Sequence, residues 1–104
     1  MTKYNARRVV TEEGAFDSQR EHKRWGDLKL MERAGKVKDL KRQVKFELIP
    51  RIGKFRPIFF VADFTYRTIS GDLVVEDSKG YRNRLYLLKR RLMLWRHGID
   101  IFET

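Results

Sequence analysis

The stretch Phe59–Gly80, FFVADFTYRTISGDLVVEDSKG, decides the fold. It reads as two β-strands joined by a tight turn. The β-rich run Ile58–Tyr66 and the run Leu73–Lys79 flank the segment Thr68-Ile69-Ser70-Gly71-Asp72. A three-residue hairpin loop that closes on a left-handed glycine takes Ile69, Ser70 and Gly71 as its loop. That register pairs Thr68 with Asp72 and, counted outward, Asp63 with Asp77. Side chains alternate along a strand, so Lys79 falls on the face of Asp77 with Asp63 beside them, and Glu76 points to the other face, opposite Phe64.

Two carboxylates facing each other across a strand pair destabilise a sheet by roughly 0.2–1 kcal/mol. A cation between them removes that cost. Mg²⁺ and similar hard ions are held by one or two carboxylates, with water and substrate phosphate completing the shell. Asp63, Asp77 and Lys79 are therefore candidates for a metal-dependent phosphodiesterase site, with Lys79 placed to hold a phosphate oxygen or an attacking water. The plain alternative is a solvated sheet face, on which Asp and Lys are common, and a one-residue bulge in the hairpin would undo the pairing.

Length and composition narrow the partner class. A chain of 104 residues forms one domain, and 41% hydrophobic with 12% aromatic residues can fill a single core. No apolar run approaches the length of a membrane span, and MTKYNARRVV lacks the apolar centre of a signal peptide. With no cysteine, disulfides and thiolate zinc sites are excluded; a cytoplasmic protein is expected. Lys and Arg number 24 against 14 Asp and Glu, a net charge of +10, which points to a polyanion and most often to nucleic acid.

The remaining elements follow in order. Residues 1–15 form a basic N-terminal arm with Lys3, Arg7 and Arg8, a short strand at Arg8–Thr11 and a turn at Glu13-Gly14; fraying and phosphate contact are both open to it. Ser18 and Glu21 make a capping-box pattern that opens a helix ending near Ala34, with Gly35 as its stop. Trp25, Leu28 and Met31 form its buried stripe. Glu21 has a sufficient explanation as the box's carboxylate. Gly26 inside the helix points to a close backbone approach or a packing constraint. Val37–Ile49 contains the alternation Val44, Phe46, Leu48 of a half-buried strand, ended by Pro50; Gln43 near its start can reach a site on this sheet, though simple exposure also explains it. Arg51–Pro57 is a basic loop with Lys54 and Arg56. A second helix at about Arg82–His97 repeats Leu85, Leu88, Leu92 and Trp95 as its expected core face. Leu87, Met93 and Leu94 widen its apolar surface, which fits burial on two sides or a dimer contact. From Lys79 to Arg96 there are seven basic residues and no acidic one, including Arg82, Arg84, Lys89 and Arg90, a phosphate-tracking surface. Gly98 stops the helix, and Ile99–Phe102 alternates as a last short strand.

This order, with an acidic residue on the first helix, Asp63 on the second strand of the sheet and Asp77-Ser78-Lys79 on the third, resembles the PD-(D/E)xK, restriction-endonuclease-like nucleases. More closely, KYNA at Lys3–Ala6, FDSQRE at Phe16–Glu21, VKFELIP at Val44–Pro50, ADFTY at Ala62–Tyr66 and VVEDSKG at Val74–Gly80 are similar to a family of small phage and prophage proteins of unassigned function. The superfamily resemblance implies an α/β (α+β) domain of order αβββαβ, a mixed central sheet flanked by helices. It implies Asp63, Asp77, Glu21 and the Ser78 carbonyl as ligands of Mg²⁺ or Mn²⁺, and Lys79 as the residue that positions the attacking water. Ala62 stands where that superfamily usually has proline, and Ser78 where an aliphatic is more common.

The expected function is a Mg²⁺-dependent DNA endonuclease of a phage or prophage, acting in the host cytoplasm on branched or junction DNA such as a Holliday junction. A homodimer suits paired nicks. Arg82, Arg84, Lys89, Arg90, Lys54, Arg56, Arg7 and Arg8 would grip the backbone. The alternatives are a non-catalytic basic nucleic-acid-binding protein on the same fold, and an assembly protein for which the acidic cluster is incidental.

Overall fold

The computed structural model describes residues 8–78 and 82–104. Its central feature is the expected hairpin. Ile58–Thr68 (β4) pairs antiparallel with Leu73–Asp77 (β5), with Phe64 opposite Glu76. The Thr68 amide donates to Asp72 O and the Gly71 amide to Thr68 O, both at 2.9 Å. Gly71 has φ +92°, so the loop closes on the one residue type that adopts this backbone without a Cβ penalty.

The long strand Val37–Ile49 (β3) flanks β4 on its other side, and Phe102–Glu103 (β6) lies parallel to β5. The described residues thus form a four-stranded mixed sheet ordered β3-β4-β5-β6, with helices Gln19–Arg33 (α1) and Arg84–His97 (α2). A second sheet of two strands, Val9–Thr11 (β1) and Gly14–Phe16 (β2), precedes α1. The architecture is mixed α+β, with the element order ββαβββαβ among the described residues.

Two core clusters support the sheet. Leu28 of α1 packs with Val37, Phe64 and Tyr66, joined by Trp25 and Met31, as the helical spacing predicts. Tyr86 and Met93 of α2 pack with Leu48, Phe60, Ala62, Val75 and Ile101. Alternate residues of β4 therefore pass from one helix's cluster to the other's between Ala62 and Phe64, a consequence of sheet twist along a long strand. Asp63 sits at that seam.

Four expectations are corrected. Residues 9–16 are a hairpin docked on the domain: Arg42 lies 3.7 Å above the Phe16 ring and donates to Ala15 O, and Glu13 takes Lys29 Nζ at 2.6 Å. Gly26 makes no close approach, since a Cβ there would meet nothing within 4 Å. On α2, Leu85, Leu88 and Trp95 are exposed, Trp95 by 77%, while Tyr86 and Met93 point inward. Part of the reason lies in β6, where Glu103 accepts hydrogen bonds from Tyr86 Oη at 2.6 Å, Arg90 at 3.1 Å and Arg82 at 2.5 Å. Tyr86, Met93 and the half-buried Leu92 therefore face the sheet, while Leu85, Leu87, Leu88 and Leu94 are exposed. Finally, Ile101 is buried but the last strand begins only at Phe102.

A candidate acidic site at the hairpin seam

Asp63 and Asp77 come from adjacent strands, and Glu21 from the first turn of α1. The local sequence accounts for Glu21. Ser18 has an extended backbone and its Oγ accepts the Glu21 amide at 3.1 Å, so the helix begins as a capping box does. The returning bond is displaced by one residue: Glu21 Oε2 accepts from the Asp17 amide at 3.0 Å. The carboxylate is 2% exposed, and its other oxygen, Oε1, accepts Gln43 Nε2 at 3.2 Å. The capping bonds thus set this carboxylate beside Gln43 and Asp63.

Gln43 is exposed, as simple reading expected, and still reaches the site. Its φ is +52°, a left-handed conformation within a strand and rare for a residue with a Cβ. Such backbone strain costs roughly 1–3 kcal/mol and collects at functional sites.

Asp63 is the centre of the cluster. Its Oδ2 accepts the Ser78 amide at 2.8 Å, a bond that locks the seam of β4 to the end of β5. Its carboxyl is pushed up to about 9, first by burial, next by the charge of Asp77, then by hydrogen bonding with Glu21. These surroundings favour the protonated form of Asp63. Asp77 is 2% exposed and buried in the same region. The three carboxyls are linked through Asp63; among the described residues no three His, Cys, Asp or Glu side chains already converge at metal-ligand range.

The donor set nevertheless fits a hard divalent cation. All three side chains offer oxygen, and their mutual repulsion is relieved by a proton on Asp63. A cation in that place does the same work with two charges. Lys79 and Arg7 lie outside the described residues, as do Lys3 and Gly80.

A second acidic side chain beside this site has a different setting. Glu76, 0% exposed, takes Arg24 Nε at 2.5 Å, Arg24 Nη2 at 3.1 Å and Tyr66 Oη at 2.6 Å. The hydrogen bond to Glu76 holds the Arg24 guanidinium above its ordinary range. Burial, then the bond to Glu76, pushes the Tyr66 phenol up to about 12. Sequence reasoning missed this triad. The hairpin register carried half of it, because Tyr66 faces Val74 and so lies diagonal to Glu76 within reach of a long side chain.

The expected backbone-binding residues divide. Arg8, Arg84, Lys54 and Arg56 are exposed, and Lys89 is half-buried. Arg82 and Arg90 are engaged by Glu103, with Asp100 3.4 Å from Arg90, so they serve the α2–β6 junction. Arg96 is similarly placed, 3.1 Å from Glu47. No helix is long and apolar enough to cross a membrane among the described residues.

Neither a comparison with curated proteins nor one with solved structures found a match. A family model described as "Protein of unknown function (DUF1064)" matches residues 1–99, nearly the whole chain. The chain that folds this docked hairpin, twisted sheet and acidic seam belongs to the DUF1064 family of proteins of unknown function.

Proposed function

We propose that the protein is a divalent-metal-dependent DNA endonuclease on a restriction-endonuclease-like core. The observation that carries this reading is the carboxyl cluster at the seam, in which Asp63 is held near 9 by burial, Asp77 and Glu21. A fold gains nothing from gathering like charges in a buried place, whereas a strongly perturbed acid beside other carboxyls is characteristic of sites that do chemistry. The helix–three strands–helix–strand succession that follows the N-terminal hairpin is the order such a core has.

In this reading Asp63, Asp77 and Glu21, with the Ser78 carbonyl, hold Mg²⁺ or Mn²⁺. The metal supplies a bound water of lowered pKa and polarises the scissile phosphate. The protein's own part is to release the Asp63 proton when the cation arrives and to keep Glu21 oriented through Gln43 and the Asp17 amide. Lys79, two residues beyond Asp77 in sequence, holds the attacking water or the developing oxyanion. Arg8, Lys54, Arg56, Arg84 and Lys89 contact backbone phosphates, and their number fits a chain of net charge +10. These exposed cations grip backbone phosphates rather than base edges, so the substrate is branched or junction DNA rather than a base sequence, as phage recombination or DNA processing in a bacterial cytoplasm would require.

The active form is a homodimer. The support is the outward face of α2, where Leu85, Leu87, Leu88, Leu94 and Trp95 are all exposed. A patch of this kind on one helix marks an interaction surface. Leu88→Glu is expected to leave the circular-dichroism spectrum intact and convert a dimer to a monomer in sedimentation; a wild-type monomer at every concentration would end this part of the reading.

The test of activity is cleavage of plasmid, linear and four-way-junction DNA with Mg²⁺ or Mn²⁺, wild type beside Asp77→Asn and Lys79→Ala. Metal-dependent cutting lost in both variants with DNA affinity kept is the expected result. The second reading, a non-catalytic DNA-binding protein on the same core, rests on the net charge of +10 and the exposed Arg8, Lys54, Arg56 and Arg84, which need no metal. It requires tight binding, no cutting with any metal, and unchanged behaviour of Asp77→Asn.

A further inference from the structure

The loop between β3 and β4 is more than a basic connection. The Ile52 amide donates to Phe55 O at 3.0 Å and the Phe55 amide to Ile52 O at 2.9 Å, which closes Ile52–Phe55 into a tight two-bonded turn. Gly53 occupies the left-handed region with φ +56°. Arg51 Nε donates to Gly53 O at 3.0 Å and braces the turn from outside. The two apolar side chains of this pinned turn point into solvent: Ile52 is 61% exposed and Phe55 66%. Lys54 Nζ lies 5.6 Å from the Phe55 ring centroid. Arg51, Lys54 and Arg56 are exposed, and no acidic residue occurs between Pro50 and Pro57.

Exposed apolar side chains at a rigid tip have no role in the domain's own core. Surrounded by cations only, they fit a polyanion whose interior is aromatic, which is a nucleic acid with an accessible base face. Apolar wedges entering base steps and aromatic side chains stacking on unpaired bases are the two ways proteins use such groups, and both work best where stacking is already broken. We propose that Ile52 and Phe55 form a stacking wedge for distorted or unpaired DNA, with Arg51, Lys54 and Arg56 on the flanking phosphates. This rests on the reading of the protein as one that acts on DNA, and it names the substrate feature recognised: a disrupted base step. Asp63 lies five residue steps along β4 from Ile58, about 16 Å at the rise of a strand. The wedge therefore meets the DNA on the order of five base pairs or more from the acidic seam, at about 3.4 Å per pair.

The experiment uses the full chain without metal, so that nothing is cut. Probes are a four-way junction, a duplex with a two-base bulge and a fully paired duplex, each with 2-aminopurine at successive positions. Wild type is expected to change 2-aminopurine emission at a discrete step of the junction and the bulge and to bind them more tightly than the paired duplex. Phe55→Ala is expected to lose that signal and about tenfold of the affinity for distorted DNA, with paired-duplex binding within about threefold; Phe55→Trp should restore both. Equal loss on all three DNAs, or no loss, overturns the wedge. So does a change of sedimentation in Phe55→Ala without a change in DNA binding, which would make the loop a protein contact. The two readings fail separately. Junction preference dependent on Phe55 with no cutting by any metal removes the nuclease and leaves the wedge. Metal-dependent cutting indifferent to Phe55→Ala leaves the nuclease and removes the wedge.

Discussion

Glu76 and Asp77 are consecutive residues of β5, both buried, and they meet different neighbours. Glu76 receives a guanidinium and a phenol, so that its charge is matched and each carboxylate oxygen has a donor. Asp77 faces another carboxyl, and its charge helps drive the proton onto Asp63. A strand's alternation places neighbours on opposite faces, so one residue can serve the fold and the next a site. Consecutive buried acids on one strand thus meet different neighbours on the two faces of the sheet.

Removing the cation from the matched side is the largest way to break this contrast. Arg24→Met leaves Glu76 fully buried with Tyr66 as its remaining named donor, and should cost roughly 3–5 kcal/mol in urea unfolding. At about 4–8 °C per kcal/mol for a domain near this size, the loss of Tm would be plain in a thermal melt. A cost below about 1 kcal/mol would mean that the ion pair merely decorates the core.

Neutralising the other side has a pH-dependent effect on stability, of opposite sign at alkaline pH, and a complete effect on metal response. The folded value of Asp63 is about 9 against an ordinary 3.8. Between those values the native state holds a proton that the unfolded chain has released, so stability falls as pH rises from about 4 to about 9. The metal-free protein should therefore lose Tm steadily from pH 5 to pH 9. Asp63→Asn should flatten that slope and equal or exceed wild type at pH 9. Mg²⁺ or Mn²⁺ should raise the wild-type Tm most at the alkaline end and leave Asp63→Asn unmoved. A wild-type profile that is flat over this range would remove Asp63 as the site's proton carrier.

The smallest change sharpens the comparison by touching neither carboxylate. Gly26→Ala fills open space in the helix that carries both Glu21 and Arg24. It should add about 1 kcal/mol through helix propensity and leave the pH slope and any metal response as they are. If it altered either, the two acidic sites would be reporting helix stability rather than their own chemistry.

Much of the fold was legible because its determinants are local. Gly71 sets the hairpin loop, and the register then follows by counting, including Phe64 opposite Glu76. Ser18 and Glu21 mark the start of α1, Gly35 and Gly98 the ends of the helices, and the run Val37–Ile49 is a strand over its whole predicted length. Asp63, Asp77 and Glu21 could be named as candidates from that register and the resemblance together. What escaped depends on partners distant in sequence. Arg24 and Glu76 are 52 positions apart, and neither position carries a periodic signal that picks out the other.

By itself, then, the sequence determined the elements, the hairpin register and the excess of positive charge, since these arise from backbone preferences, alternation and composition. Only the tertiary structure decided which face of α2 is inside. The leucine spacing and the Tyr86–Met93 pair are equally good helical stripes, and helix periodicity cannot choose between them. The packing of Tyr86 and Met93 on Leu48, Phe60, Ala62 and Val75 decides it, together with the bonds from Tyr86 and Arg90 to Glu103. The same holds for the acidic seam: alternation sets Asp63 beside Asp77, but only the approach of α1 brings Glu21 to them and makes burial and repulsion act on one proton.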